Sequence, residues 1–287
     1  MQLLLGLTFG CIFILLALGL SIIFGLLGIV NFAHGVFCML GAYAAFLGLG
    51  LTGNFWMALI LAPLVVGGLG FLAELGVLRP IYRSKNPVFA GVLTTYGLSL
   101  IFPDIIRMFF GRSGKPFRIP AILDVTYHYG LMSFSAYRFF IIGITAAILP
   151  LVWLLLHRTN IGMIIRAGTT DSLMVQLLGI KVQRVWTFTF ALGIALAALA
   201  GILIAPIRGI FPEMGGLVLI ESFIVVIVGG MGSFKGAIIG GLIIGEAVSL
   251  TNLMYGPMAN VIIYIVMAFI LLARPRGLFG EEGVSER

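Results

Sequence analysis

Apolar residues run in blocks of about 20, the length one helix needs to cross a hydrocarbon layer. Short stretches rich in glycine, proline or basic side chains separate the blocks. The pattern predicts crossings over residues 3–24, 36–51, 55–78, 88–110, 139–156, 186–207, 237–253 and 257–273. A further block, 215–230, is short for a straight crossing and reads as a half-helix. The expected architecture is an all-α polytopic membrane protein with about 8–9 transmembrane segments, some short or broken, in one domain over residues 1–287.

Two interruptions stand out. Residues 25–35, G-L-L-G-I-V-N-F-A-H-G, set Gly25, Gly28 and Gly35 beside Asn31 and His34 in an otherwise apolar flow. Residues 229–236, G-G-M-G-S-F-K-G, make a second glycine-rich corner. Irregular backbone at membrane depth is tolerated only where protein or a wet cavity surrounds it, so both predict helix breaks inside the bundle. Paired breaks of this kind mark repeated transporter units around a central pathway. Beyond the second corner, Gly232, Gly236 and Gly240 recur at steps of four, with Gly241 and Gly245 alongside. That spacing lets a second helix approach closely in lipid.

Charge orients the chain. Hydrophobic residues make up 61% and charged residues 9%, and mean hydropathy is +1.20, too apolar for a soluble globule. The net charge of +7 comes from Lys and Arg dispersed among short loops, which suits a cytoplasmic-side excess better than nucleic-acid binding. Arg79, Arg83 and Lys85 place the loop after the third crossing in the cytoplasm, and Arg274 and Arg276 place the carboxyl end there. Residues 111–137 then fall outside, although Arg112, Lys115 and Arg118 work against that assignment. The acidic tail 281–287 is expected to be loose. Cys11 and Cys38 lie in apolar surroundings without ligand spacing and read as buried thiols.

The stretch from His157 to Arg184 breaks the pattern most. It holds Arg158, Arg166, Lys181 and Arg184 against one acid, Asp171. From Gly162 to Leu178 it shows a short amphipathic helical pattern closed by Gly179. Such a helix across the cytoplasmic face either docks in a groove of a soluble partner or lies at the interface without one.

Chemistry of its own is absent from the motifs. No G-x-x-x-x-G-K-[ST], H-E-x-x-H or G-x-S-x-G occurs. Neither catalysis nor a metal site is expected. Glu221, Glu246, His34 and Asp104 could couple a proton or sodium gradient, or each could be satisfied within the bundle. Asp104 and Arg107, three residues apart on one helical face, can neutralise each other. A stand-alone secondary transporter or channel is therefore the alternative to a permease driven from outside the chain.

The motif set carries a resemblance. G-L-L-G-I-V-N-F-A-H-G followed by M-L-G-A-Y, then R-P-I-Y-R, G-M-I-I-R-A-G-T-T-D with L-L-G-I, V-G-G-M-G-S-F-K-G-A-I-I-G-G and R-P-R-G-L-F-G run in order from residue 25 to residue 280. Together they resemble LivH-type permeases of branched-chain amino acid ATP-binding cassette (ABC) importers. The resemblance implies a bacterial inner-membrane subunit that pairs with a LivM-type permease, two LivG- and LivF-type ATPases and a periplasmic substrate-binding protein. ATP and Mg²⁺ would bind the ATPases, with no cofactor in this chain. Arg166, Ala167, Asp171, Leu178 and Gly179 would belong to the coupling helix held by an ATPase. Asn31, Phe32, His34, Gly35, Gly229, Gly230 and Gly232 would line or shape the translocation pathway. Val36 stands where the family often has an acid, and Pro103 where polar residues are common. Relatives carry other amino acids, urea and short amides as well.

Overall fold

The computed structural model describes residues 1–82, 84–129 and 132–280. Helix α1 (Gln2–Leu27) is followed by α2 (His34–Thr52) and α3 (Phe55–Ala73). The latter continues through a π-helical turn, Glu74–Leu78, and a last turn, Arg79–Ile81. Then come α4 (Pro87–Phe110), a hairpin of β1 (Thr126–Tyr129) and β2 (Met132–Ser135), and α5 (Ala136–Arg158). Two short helices, α6 (Asn160–Thr170) and α7 (Ser172–Leu177), lead to α8 (Val182–Arg208). The chain ends with α9 (Met214–Gly229), α10 (Phe234–Met254), a 3₁₀ turn over Gly256–Asn260 and α11 (Ile262–Ala273).

Among the described residues, seven helices are long and apolar enough to cross a membrane, and α9 and α11 are shorter apolar helices. Two expectations need correction. The second crossing starts at His34, inside the glycine-rich motif, because Asn31 and Ala33 complete the turn before it. The last crossing starts at Ile262, since Pro257 opens a separate 3₁₀ turn. Residues 111–137 carry an antiparallel hairpin, paired from Thr126 with Ser135 to Tyr129 with Met132.

The interior is built on α1 and α8. Of the most apolar window in α1, 83% is buried, against 17% in α4. The close approach comes from glycine. A Cβ on Gly10 would lie 3.2 Å from the Gly241 carbonyl oxygen, and one on Gly245 would reach Gly10 Cα at 2.5 Å, so the α1–α10 crossing admits no side chain there. Gly41 and Gly201 do the same where α2 lies on α8. Cys11 and Cys38 are buried and free, as their surroundings suggest.

Candidate functional site

The two glycine-rich breaks meet at one end of the bundle. Helix α1 stops at Gly28, whose φ of 62° is cheap only for glycine, and its N–H bonds Phe24 O at 2.8 Å. Asn31 is buried and its Oδ1 accepts from the Ala33 N–H at 3.0 Å. His34 is fully buried, with Nε2 donating to Leu16 O at 3.0 Å. Gly35 faces Gly215 and Leu219 of α9 too closely to carry a Cβ. These three residues hold the junction of α1, α2 and α9 together.

Phe32 is placed differently. It is half-buried, its N–H donates to Thr95 Oγ1 of α4 at 3.2 Å, and its ring packs edge-on against Tyr96 and 5.6 Å from Phe223 of α9. Beside it opens a cavity of about 240 Å³ lined by Leu20, Phe24, Val30, Phe32, Phe223, Val226, Ile227 and Met231. Every one of those side chains is apolar.

The second break needs left-handed backbone at Gly230 (φ 102°) and Gly232 (φ 83°). Gly229 packs on the Gly236 backbone. The carboxyl segment closes the corner, Leu278 N–H bonding Val228 O and Phe279 N–H bonding Gly229 O, both at 2.9 Å. A Cβ on Gly25 would sit 3.4 Å from Gly232 Cα, so the two corners touch.

The His157–Arg184 segment lies at the same end. Thr159 caps α6, its Oγ1 accepting from Gly162 N–H at 3.1 Å. Arg166 Nη1 donates to Leu156 O, tying α6 to the end of α5. The expected single helix from Gly162 to Leu178 is two helices. Asp171 leaves helical conformation (φ −152°, ψ 96°) and caps α7, its Oδ1 accepting from Met174 N–H at 2.9 Å. Gly179 closes the segment with φ 83°. Leu173, Met174, Leu177 and Leu178 remain largely exposed, 55–74%, as does Ala167 to a lesser degree. A cavity of about 730 Å³ joins this segment to the second corner, with Ser21, His157, Arg166, Thr169, Lys235 and Gly280 on its wall.

Three of the acids sit in ion pairs, whereas Glu74 Oε1 and Glu246 Oε2 are buried without a hydrogen-bond partner among the described residues. Glu221 accepts from Arg208 Nη1 through both oxygens, at 2.8 and 2.9 Å. Arg107 bridges Asp104 (2.5 Å) and Glu213 (3.0 Å). Glu246 packs against Gly6 of α1 and its Oε2 has no partner within the described residues. Three contacts escaped the sequence pattern: Arg208 with Glu221, Thr95 with the first break, and Thr187 Oγ1 donating to the buried Glu74 Oε2 at 2.5 Å. The first joins charges 13 residues apart across a turn, and the other two involve threonines within apolar runs.

A family model described as branched-chain amino acid transport system / permease component matches residues 2–271. The chain belongs to this family. Among similar permeases, BraD of Pseudomonas aeruginosa, a high-affinity branched-chain amino acid transport system permease protein, is 29% identical over 99% of this chain and 97% of its own length. LivH of Escherichia coli K12, named in the same words, is 28% identical over 98% and 95%. The Methanocaldococcus jannaschii LivH is 30% identical over 94% and 89%. A solved structure titled PsaBC from Streptococcus pneumoniae in complex with Fab superposes with a TM-score of 0.53 over 94% of this chain and 89% of that one, at 15% identity, which speaks for a shared fold. The permease is a multi-pass membrane protein of the expected class.

Proposed function

We propose that this permease is the membrane-spanning subunit of a bacterial inner-membrane ABC importer for branched-chain amino acids. In this reading it forms the pathway with a second, LivM-type permease, receives its solute from a periplasmic binding protein and is driven by LivG- and LivF-type ATPases that hold ATP and Mg²⁺. The chain itself hydrolyses nothing. The observation that carries the reading is the apolar cavity at Phe32, wedged between α1, the first break and α9 in a chain whose full-length relatives are named for branched-chain amino acid transport. A leucine or valine side chain loses nothing polar by passing such a wall, and selection can rest with the binding protein.

The coupling role falls to Arg166, Ala167, Asp171, Leu178 and Gly179 on the cytoplasmic segment 157–184 of a single domain. Its exposed Leu173, Met174, Leu177 and Leu178 supply an apolar face for a groove on an ATPase, with charged neighbours setting its register. Force applied there reaches the second corner through the cavity wall shared by Arg166, Lys235 and Gly280. Asn31, His34, Gly35, Gly229, Gly230 and Gly232 shape the pathway by fixing the two breaks, and Phe32 lines it.

The test is reconstitution with and without the ATPases, combined with side-specific labelling. Uptake of leucine should require ATP inside the ATPase-facing compartment. Gln176→Cys should react with an impermeant thiol reagent only from the cytoplasm and Ile122→Cys only from outside. Uptake by the chain alone, or Gln176→Cys labelling from outside, would overturn the proposal.

A further inference from the structure

Where the last turn of α3 meets the start of α8, a cavity of about 400 Å³ opens at the same end of the bundle as the coupling segment. Arg79, Lys181 and Arg184 line it together with Gln176, Gln183 and Gly179. Three cations thus face one small space. Among the described residues, Lys181 and Arg184 make no ion pair. Arg79 donates from Nη2 to Thr187 Oγ1 at 3.5 Å, while its Nε has no partner within the described residues. The acid beside Arg79 is Glu74, fully buried and bound through Oε2 to Thr187. It does not line the cavity.

Helix α8 adds to the positive field. It is 27 residues long, and Lys181 at its N-cap position provides no side-chain cap, so the positive end of its dipole opens beside the cavity. Clustered cations, an uncapped long helix and two glutamine amides describe a receptor for a phosphate group. Nearby groups say how that phosphate is attached. Tyr82 and Trp186, both half-buried, pack edge-to-face with ring centroids 5.4 Å apart at this level, as aromatic residues do at a membrane interface. On α3, Leu72 and Val77 are exposed just before Arg79, giving acyl chains an apolar surface to lie along.

We propose that this cavity binds the phosphodiester of an anionic phospholipid, with Arg79, Lys181 and Arg184 around the phosphate and the acyl chains against α3. The lipid would pin the junction between the coupling segment and α8 to α3. The proposal goes beyond the transport reading and needs it only to say that the lipid comes from the cytoplasmic leaflet.

The full chain is embedded in nanodiscs holding equal amounts of phosphatidylglycerol and phosphatidylcholine, and the lipids retained on release are identified by native mass spectrometry. The wild type should retain phosphatidylglycerol in preference. Lys181→Ala together with Arg184→Ala should lower that retention roughly 30-fold, at about fivefold for each of the two charges removed. Lys85→Ala with Arg274→Ala removes the same charge outside the cavity and should leave the preference intact. The charge-preserving pair Lys181→Arg and Arg184→Lys should keep it too, which separates loss of binding from loss of folding. No preference in the wild type, equal loss in both alanine pairs, or unchanged retention in Lys181→Ala with Arg184→Ala would overturn the proposal. Displacement of the lipid by excess inorganic phosphate would assign the cavity to a soluble anion and overturn it as well.

Discussion

The break at Asp171 makes a demanding test of the coupling reading. Helix α7 has only six residues, too few to be stable by propensity, so its position rests on its cap and on buried Val175. Asp171→Ala removes the acceptor that Met174 N–H uses at 2.9 Å. Loss of such a cap costs about 1 kcal/mol, which is roughly a fivefold fall in the ratio of ordered to frayed segment. If an ATPase grips only the ordered form, ATP-driven uptake in proteoliposomes should fall measurably, by up to that factor, when the ATPase is limiting. Saturating ATPase should restore it. Asparagine caps as well as aspartate, so Asp171→Asn should stay within about twofold of the wild type. Were Asp171→Asn as damaging as alanine, the side chain would act by its charge. Were both silent, α7 would not be the element that an ATPase holds.

Other expectations follow from single contacts. Gly245→Val would drive a side chain into Gly10 and Gly6 of α1, costing on the order of 1–3 kcal/mol or preventing assembly; Gly143→Val, with open space around it, should leave the melting temperature in detergent unchanged. Arg208→Ala would leave Glu221 buried without its partner and destabilise by about 3–5 kcal/mol, whereas Arg208→Met with Glu221→Leu should recover most of that; loss of ATP-driven uptake in a well-folded double variant would assign the pair to transport itself. Thr95→Val keeps volume but removes the hydroxyl that receives Phe32 N–H, and should slow leucine uptake without lowering the amount of protein in the membrane.

What the sequence made legible was periodic or negative. Long apolar blocks gave the crossings, because lipid leaves a spanning chain almost no other solution. The glycine steps at 241 and 245 showed that a helix must come close, and α1 is the one that does. The breaks at 25–35 and 229–236 were visible as composition, yet nothing local said that Gly25 would touch Gly232. Nor did it say that His34 would spend its Nε2 on Leu16 O, deep in the bundle, while its neighbour Phe32 faced a cavity. Two residues apart on a turn, they point to different surroundings. The split at Asp171 was hidden because a helical hydrophobic pattern survives a one-residue break, and only backbone dihedrals reveal the cap. The hairpin at 126–135 was hidden for the opposite reason: its strands are four residues each, too short to set an alternation against the charges around them.

The unequal burial of the helices bears on how an importer could alternate access. Helices α1 and α8 are the most buried of the spanning helices and meet their neighbours at glycine contacts that have no slack, so they suit a rigid frame. Helix α4 is mostly uncovered and meets the bundle through contacts of different character along its length. In its first half Thr95 and Tyr96 grip the first break through Phe32; further along, Phe102 packs on Phe37, Phe110 packs on Tyr43 and Phe46, and Arg107 reaches Glu213 just before α9. The Arg107 contacts are largely exposed, and ion pairs of that kind form and break at little net cost in stability. The Thr95 contact sits in a buried turn and is harder to exchange. Thr95 thus ties α4 to Phe32, on the wall of the apolar cavity. Movement of α4 would therefore be felt at Phe32 and at the wall of that cavity before it reached the α1–α8 frame.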